Sequence, residues 1–448
     1  MTLTHIRKSA ITRRHLLGTG IAAAAVLPFA ARADLPTNPD VVVIGAGAAG
    51  LAATRTLMER GVSVALVEAG DRIGGRAYTE TETFGVPFDH GAHWLNHGTR
   101  NFFNGYAKEN GFDIYTDPDS YRVFIGDREA SSSEVNALWQ TWGLMDDEIG
   151  EAAERGLDVA PTTVTSMNLE WSNTVAFGIG PWDMAKDFDD FSTLDYWETV
   201  EGGTSWFCRQ GYGAVVAHYG AGVPVSLDTA VSRIGWGGSG VTVETNRGTI
   251  EAKAVIVTVS TGVLGAGHIT FDPVLPVEKQ ESFNAISMGL YNHITLQFSE
   301  DVFGGGPDGY LMFQVGDDMR AFGGLTNISG SGISYCDVGG SFAQELERAG
   351  DAAAVDFAMG KLKEMLGSDI EKAFMKSHVT TWGQDPLFLG SYAAAEPGAY
   401  PMRAILREPV GDRIFFAGEA CSPAVWAFVD GAYETGVDVG RQVAGEVT

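Results

Sequence analysis

Cysteine is nearly absent: three residues in 448, Cys208, Cys336 and Cys421. An odd number with no CxxC spacing indicates neither a disulfide framework nor a cysteine-based zinc site. Basic residues are also scarce, 30 Lys and Arg against 57 Asp and Glu, for a formal charge of −27. Such a balance argues against nucleic acid as a partner and would gather cationic ligands or proteins at the surface, although most of these charges serve solubility. Low-complexity stretches and repeats are missing. So is any long apolar run, because the longest near the N-terminus, residues 21–29, is too short to span a bilayer.

That short run belongs to a segment unlike the rest. Arg7, Lys8, Arg13 and Arg14 precede it and Ala31-Arg32-Ala33 follows, the layout of an export signal with a small-residue cleavage site. Thr12-Arg13-Arg14-His15-Leu16-Leu17 is similar to a twin-arginine signal, with Gly18 where a lysine is usual. The expectation is a folded protein delivered to a bacterial periplasm, with no membrane segment in the mature form. Removing residues 1–33 takes five basic residues and no acidic ones, leaving 25 against 57, a net −32.

The most informative segment is Val41-Val42-Val43-Ile44 running into Gly45-Ala46-Gly47-Ala48-Ala49-Gly50, with Glu68 closing the next apolar run. The first glycine permits the tight turn, the second lets backbone approach a pyrophosphate, and the third lets helix and strand pack closely. Phosphates then sit at a helix N-terminus. A carboxylate at Glu68 accepts hydrogen bonds from ribose hydroxyls and repels a 2′-phosphate. The combination predicts a dinucleotide cofactor in a Rossmann-like βαβ unit. No second GxGxxG follows, which weighs against an enzyme fed by a separate nicotinamide.

A chain of 448 residues exceeds one simple core and predicts two joined domains. Residues 101–197 read as helical and loop-like, an insertion rich in Trp, Phe and acid, with an acidic loop at Asp187, Asp189 and Asp190. Short strands are predicted at 230–234, 241–245 and 254–259, then at 292–298 and 413–416, with helices at 352–366 and 431–445. The expected division is a signal at 1–33, a discontinuous cofactor domain at 34–100, 203–290 and 385–448, and a substrate domain at 101–202 and 291–384.

Gly74-Gly75-Arg76, Gly91-Ala92-His93-Trp94, Arg209-Gln210-Gly211-Tyr212, Val231, residues 255–259 before Gly262-Val263-Leu264, Trp382, Gly390-Ser391-Tyr392 and Phe416-Ala417-Gly418-Glu419 extend the pattern over nearly the whole mature chain. With the βαβ unit they make the chain resemble the flavin-containing amine oxidases, the group of monoamine oxidases, polyamine oxidases and lysine-specific histone demethylases. The resemblance implies an α/β fold: a Rossmann-like FAD domain of the glutathione-reductase type with an interleaved α+β substrate domain. It implies that Gly45, Gly47, Ala48 and Gly50 cradle the FAD pyrophosphate, that Glu68 holds ribose, and that Gly75 and Arg76 meet phosphate. Val231 would meet adenine through its backbone, Gly418 and Glu419 would lie near the ribityl chain, and Gly91, Ala92, His93, Trp94 and Trp382 would pass near the flavin.

The implied reaction oxidises a primary or secondary amine to an imine, which water hydrolyses, with hydride going to flavin N5 and O2 becoming H2O2. An alkyl ammonium has a pKa of about 10.4 and cannot donate hydride until neutral. A dry aromatic slot lowers that value by desolvation. Tyr392 and Phe428 match its two walls, with Trp426 as a third wall. Ser391 stands where monoamine oxidases carry the flavin-linking cysteine, which implies non-covalent FAD, and Cys421 reads as a small buried residue. His293 occupies the position where the family usually has a lysine that holds a water beside flavin N5. Histidine can hold such a water but is only partly cationic at neutral pH, which puts rapid oxygen use in doubt and makes a periplasmic cytochrome c-like acceptor an alternative. A further alternative is a flavin-binding module whose catalysis has lapsed. His90, His93 and His97 match a family loop rather than a metal site, and His97 or Asn96 is placed to meet a polyamine. A homodimer is left open.

Overall fold

The computed structural model describes residues 37–199 and 204–448. The twin-arginine-like segment and the predicted cleavage site lie outside the described residues, as do residues 200–203, where the expected domain boundary falls. Among the described residues no helix is long and apolar enough to cross a membrane.

Four short parallel strands form the first sheet, in the order Val64–Val67, Val41–Ile44, Ala254–Val257, Ile414–Phe416. Parallel strands covered on both faces read as unbroken apolar runs, and this is why the sequence of Val41–Ile44 lacks polar alternation. Val41 and Val43 enter one core cluster, Val42 and Ile44 the cluster on the opposite face. The helix Ala48–Glu59 covers one of those faces together with the C-terminal helix Val429–Val447, so the two ends of the described chain share a core.

A second sheet has seven strands, in the order Phe374–Val379, Tyr291–Phe298, Ile333–Gly339, Gly323–Thr326, Gly309–Phe313, Tyr121–Ile125, Arg128–Glu129. Tyr121–Ile125 pairs in parallel with Gly309–Phe313, joining segments nearly two hundred residues apart. The reading of 101–197 as helix and loop therefore omits strands, among them Ile114–Thr116 and Tyr121–Ile125. Ile114–Thr116 pairs with the distant Trp206–Cys208, so no hairpin signal marks it, whereas Tyr121–Ile125 turns through Gly126-Asp127 onto Arg128–Glu129, a two-residue hairpin signal that the helix-and-loop reading passes over. Residues 230–234 and 241–245 emerge as Val231–Gly235 and Val241–Thr245 in a separate four-stranded sheet, joined by the unforeseen Gly248–Ala252.

Within Tyr291–Phe298 the alternation is clear. Ile294, Leu296 and Phe298 enter one apolar cluster, while His293, Thr295 and Gln297 are buried on the other face. The helix Ser132–Glu154 begins with a capping box, Glu134 N–H to Ser131 Oγ and Ser131 N–H to Glu134 Oε2. It carries Trp142 to the cavity described next.

Candidate active site

A cavity of about 810 Å³ is lined by residues from both large sheets. Gly45, Gly47, Ala48, Glu68, Gly75, Arg76, Gly91, Ala92, His93, Trp94, Val231, His293, Trp382, Tyr392, Gly418, Glu419 and Phe428 all line it. Gly50 and Trp426 do not.

One end is a cradle for a phosphate-bearing cofactor. Gly47 caps the helix Ala48–Glu59 with no side-chain hydrogen bond and no acidic residue in the first turn, leaving that N-terminus favourable for an anion. Gly45 has φ +101°, and a Cβ there would lie 2.6 Å from Thr258 Oγ1. A Cβ on Gly50 would lie 1.9 Å from the Gly45 carbonyl oxygen, so Gly50 serves helix–strand contact rather than the cavity wall. Glu68 is fixed by two amides, Ala46 N–H to Oε2 at 2.7 Å and Gly70 N–H to Oε1 at 2.8 Å. The uncapped helix start, the side-chain-free turn and the anchored carboxylate fit the dinucleotide part of FAD.

Further in, Arg76 and Glu419 meet. Arg76 Nη1 donates to Glu419 Oε1 at 2.9 Å and to the Ser391 carbonyl at 2.6 Å. Glu419 also accepts from Ala393 N and from Ala427 N, the latter at 3.0 Å. Ala427 has φ +68°, a conformation that is costly for a residue with a Cβ. That backbone places Phe428 at the start of the last helix, on the cavity wall.

Tyr392 lines the same chamber and donates to the Asp183 carbonyl at 2.7 Å. Phe428 packs edge-on against His97, ring centroids 4.5 Å apart, and His97 Nδ1 is 2.7 Å from Asp430 Oδ2. Trp426 is corrected: it is buried in an apolar cluster with the Arg403 guanidinium 4.9 Å over its ring, and forms no wall. Ser391 Oγ exchanges hydrogen bonds with the Tyr291 backbone, both at 2.7 Å. Cys421 is a buried free thiol whose pKa burial pushes up to about 12.

The three clustered histidines face three different carboxylates: His90 toward Glu80 at 3.5 Å, His93 to Asp89 at 2.8 Å, and His97 to Asp430. Burial, with His378 next, pushes His90 down to about 4. Folding thus favours its neutral form, so its contribution to stability is complete above a pH of about 6.5 and is lost as pH falls toward 4. A His90→Gln variant should lose less stability than the parent between about pH 7 and pH 4.5, read as urea midpoints; equal losses would refute this.

His293 is held on every side. Its Nδ1 is 2.5 Å from Asp337 Oδ1, its Nε2 3.1 Å from the Gly91 carbonyl, and its backbone N–H donates to Thr380 Oγ1 at 2.8 Å. Burial alone would lower its pKa, but the Asp337 charge and hydrogen bond, the Gly91 carbonyl and Asp89 together raise it. The expectation of a ring free to hold a water changes accordingly, because both nitrogens are engaged by protein groups.

Several cavity residues escaped sequence reasoning: Tyr121, Trp142, Trp182, Asp183, Tyr291 and Tyr310. Tyr310 receives Trp94 Nε1–H at 2.7 Å, donates to Asp117 at 2.6 Å and stacks on Tyr121 at 4.8 Å. Tyr291 carried a usable signal, sharing its strand face with His293 two residues on. Trp182 sits on the π-helical turn Gly178–Met184, which no sequence period announces.

Comparison with known proteins gives this geometry a family. The profile of flavin containing amine oxidoreductases matches residues 188–444, and that of an NAD(P)-binding Rossmann-like domain matches 43–108. Polyamine oxidase 4 of Oryza sativa subsp. japonica is 32% identical over 436 residues, covering 89% of this chain and 87% of the relative. The fold is shared with a putrescine oxidase bound to putrescine, at 22% identity, a TM-score of 0.77 and coverage of 92% of this chain and 100% of that one. It is shared too with cyclohexylamine oxidase from Brevibacterium oxydans IH-35A, at 20% identity, a TM-score of 0.76 and coverage of 91% and 99%. The chain belongs to the flavin-containing amine oxidases, and is an FAD-dependent oxidoreductase acting on amines.

Proposed function

We propose that the protein oxidises a primary or secondary amine, a monoamine or a polyamine, to an imine that water hydrolyses to an aldehyde or ketone. The observation that carries this reading is the convergence of Tyr392 and Phe428 on a chamber continuous with the phosphate cradle. When bound, FAD supplies at N5 a two-electron acceptor for the hydride that leaves the carbon beside the substrate nitrogen, as that carbon–nitrogen bond becomes double. The chain supplies the conditions. Aromatic walls at Tyr392, Phe428, Trp182 and Tyr310 exclude water, and desolvation pulls the substrate ammonium toward its neutral form. Glu419 and Arg76 brace the backbone on both sides of Tyr392 and before Phe428. With Ser391 committed to Tyr291, FAD is held non-covalently.

Rapid mixing without oxygen against monoamines, diamines and polyamines tests this through bleaching of the flavin absorption; no bleaching by any class would refute it. Tyr392→Ala and Phe428→Ala should each slow bleaching by roughly ten- to a hundredfold, the loss of one positioning contact. Unchanged rates would remove these residues from the slot.

The engagement of both His293 nitrogens favours a second reading of the acceptor. With no ring N–H left over for a water, electrons would pass to a cytochrome c-like protein rather than rapidly to O2. Reoxidation of the bleached enzyme faster by air than by cytochrome c would overturn it. Export by the twin-arginine route, proposed from residues 1–33, would put such a carrier within reach; recovery of the full-length protein in the cytoplasmic fraction would count against it.

A further inference from the structure

We propose that Asp337 is a positioning residue that fixes His293 as a doubly protonated ring, its positive side at the cavity and its Nε2–H pinning the Gly91 carbonyl. The argument begins with register. His293 and Asp337 are direct partners on the antiparallel strands Tyr291–Phe298 and Ile333–Gly339, so their side chains project from the same face. Both are buried, at 1% and 0% exposure.

Each ring nitrogen then faces an acceptor that carries no hydrogen: carboxylate Oδ1 at 2.5 Å and a peptide carbonyl at 3.1 Å. A neutral imidazole has one N–H and could satisfy only one of them, so the geometry calls for two. Among the described residues the second Asp337 oxygen has no hydrogen-bond partner. A buried carboxylate so poorly solvated needs a cation beside it, and the ring supplies one.

The pair is oriented as well as charged. His293 lines the cavity and Asp337 does not, so the dipole presents its positive end to the chamber. Gly91 admits no substitute, since a Cβ there would lie 2.3 Å from the Arg76 carbonyl oxygen and 3.0 Å from Trp382. The charged ring thereby holds the Gly91–Ala92 wall where Arg76 and Trp382 also converge. Negative charge arriving with a hydride would be favoured beside it.

The other groups packed around His293 leave this assignment intact. Tyr335 stacks on the ring at 4.1 Å, and Tyr291 lies 5.6 Å away with its hydroxyl kept protonated by burial and then by Asp337. Asp89 is already shared among Thr79, His93 and the amides of Tyr212 and Gly213. His378, on the opposite flanking strand, is held toward its neutral form by burial.

The test uses the FAD-loaded protein and two readouts that need no substrate: ¹⁵N histidine NMR, and the flavin midpoint potential against pH. The His293 signals should be those of an imidazolium through neutral pH. Asp337→Asn should convert them to a neutral ring and move the midpoint to more negative potential. With a bleaching amine in hand, reduction should also slow by about tenfold. If Asp337→Asn leaves the ring protonated or the potential unchanged, or if the parent ring is neutral at pH 7, the proposal falls. Should that variant fold poorly, the double variant His293→Gln/Asp337→Asn keeps an N–H donor for Gly91 without the charges and must show the same negative shift. The proposal extends the amine-oxidation reading only in its rate readout. Failure to find a substrate would leave the spectra and potentials to decide it separately.

Discussion

Gly50→Ala should give a protein that purifies without its yellow cofactor and unfolds at lower denaturant than the parent. The added methyl would stand 1.9 Å from the Gly45 carbonyl oxygen and 3.1 Å from Thr258 Oγ1. The obstruction is backbone, so no side-chain rotation relieves it. Either the helix Ala48–Glu59 moves outward or the turn at Gly45 is displaced, and both remove the first-turn amides from the pyrophosphate. Overpacking of this kind costs about 1–3 kcal/mol, before the cofactor's own stabilisation is lost. Gly105→Ala provides the contrast. It lies exposed in the helix Phe102–Glu109, where an added Cβ would meet nothing within 4 Å, and alanine there should stabilise by about 0.5–1 kcal/mol. Stoichiometric FAD and an unchanged midpoint in Gly50→Ala would refute the packing argument.

The contrast shows which features a sequence reader can see. Strand, turn, helix and Glu68 fall within thirty residues, and their spacing alone defines a phosphate cradle. Tyr392, Phe428 and His293 were legible only through family resemblance, because single aromatic residues beside a strand or at a helix start and a histidine within a strand are common and spacing does not single them out. Asp337 was invisible: its pairing with His293 depends on the register of strands 44 residues apart, and nothing local sets that register. Trp426 was misread for a related reason. It sits two residues from Phe428, but the guanidinium of Arg403, arriving from another helix, claims its face. The aromatic chamber of Tyr121, Trp142 and Trp182 was hidden inside an insertion whose richness in tryptophan was plain, while its strand pairing was not.

Asp195→Ala should be among the most destabilising single changes outside the cofactor cradle. Arg403 Nε donates to Asp195 Oδ1 at 2.8 Å, a second guanidinium nitrogen reaches Oδ2, and Ala395 N–H donates to Oδ2 at 2.7 Å. Both side chains are almost fully buried. Removing the carboxylate strands a buried guanidinium, a loss of about 3–5 kcal/mol, whereas replacing both partners with apolar residues of similar volume is often neutral or stabilising. Asp195→Ala alone should therefore unfold at markedly lower urea than Asp195→Leu/Arg403→Met, and equal midpoints would show that the pair contributes packing rather than charge compensation. The loss should also reach the site. Ala395 ends the strand that follows Tyr392, and Arg403 Nη1 holds the Ala420 carbonyl beside Glu419 at 2.8 Å. Loosening that corner frees the carboxylate that secures Ala427 ahead of Phe428, so the single variant should bleach more slowly with amine at temperatures where it is still fully folded.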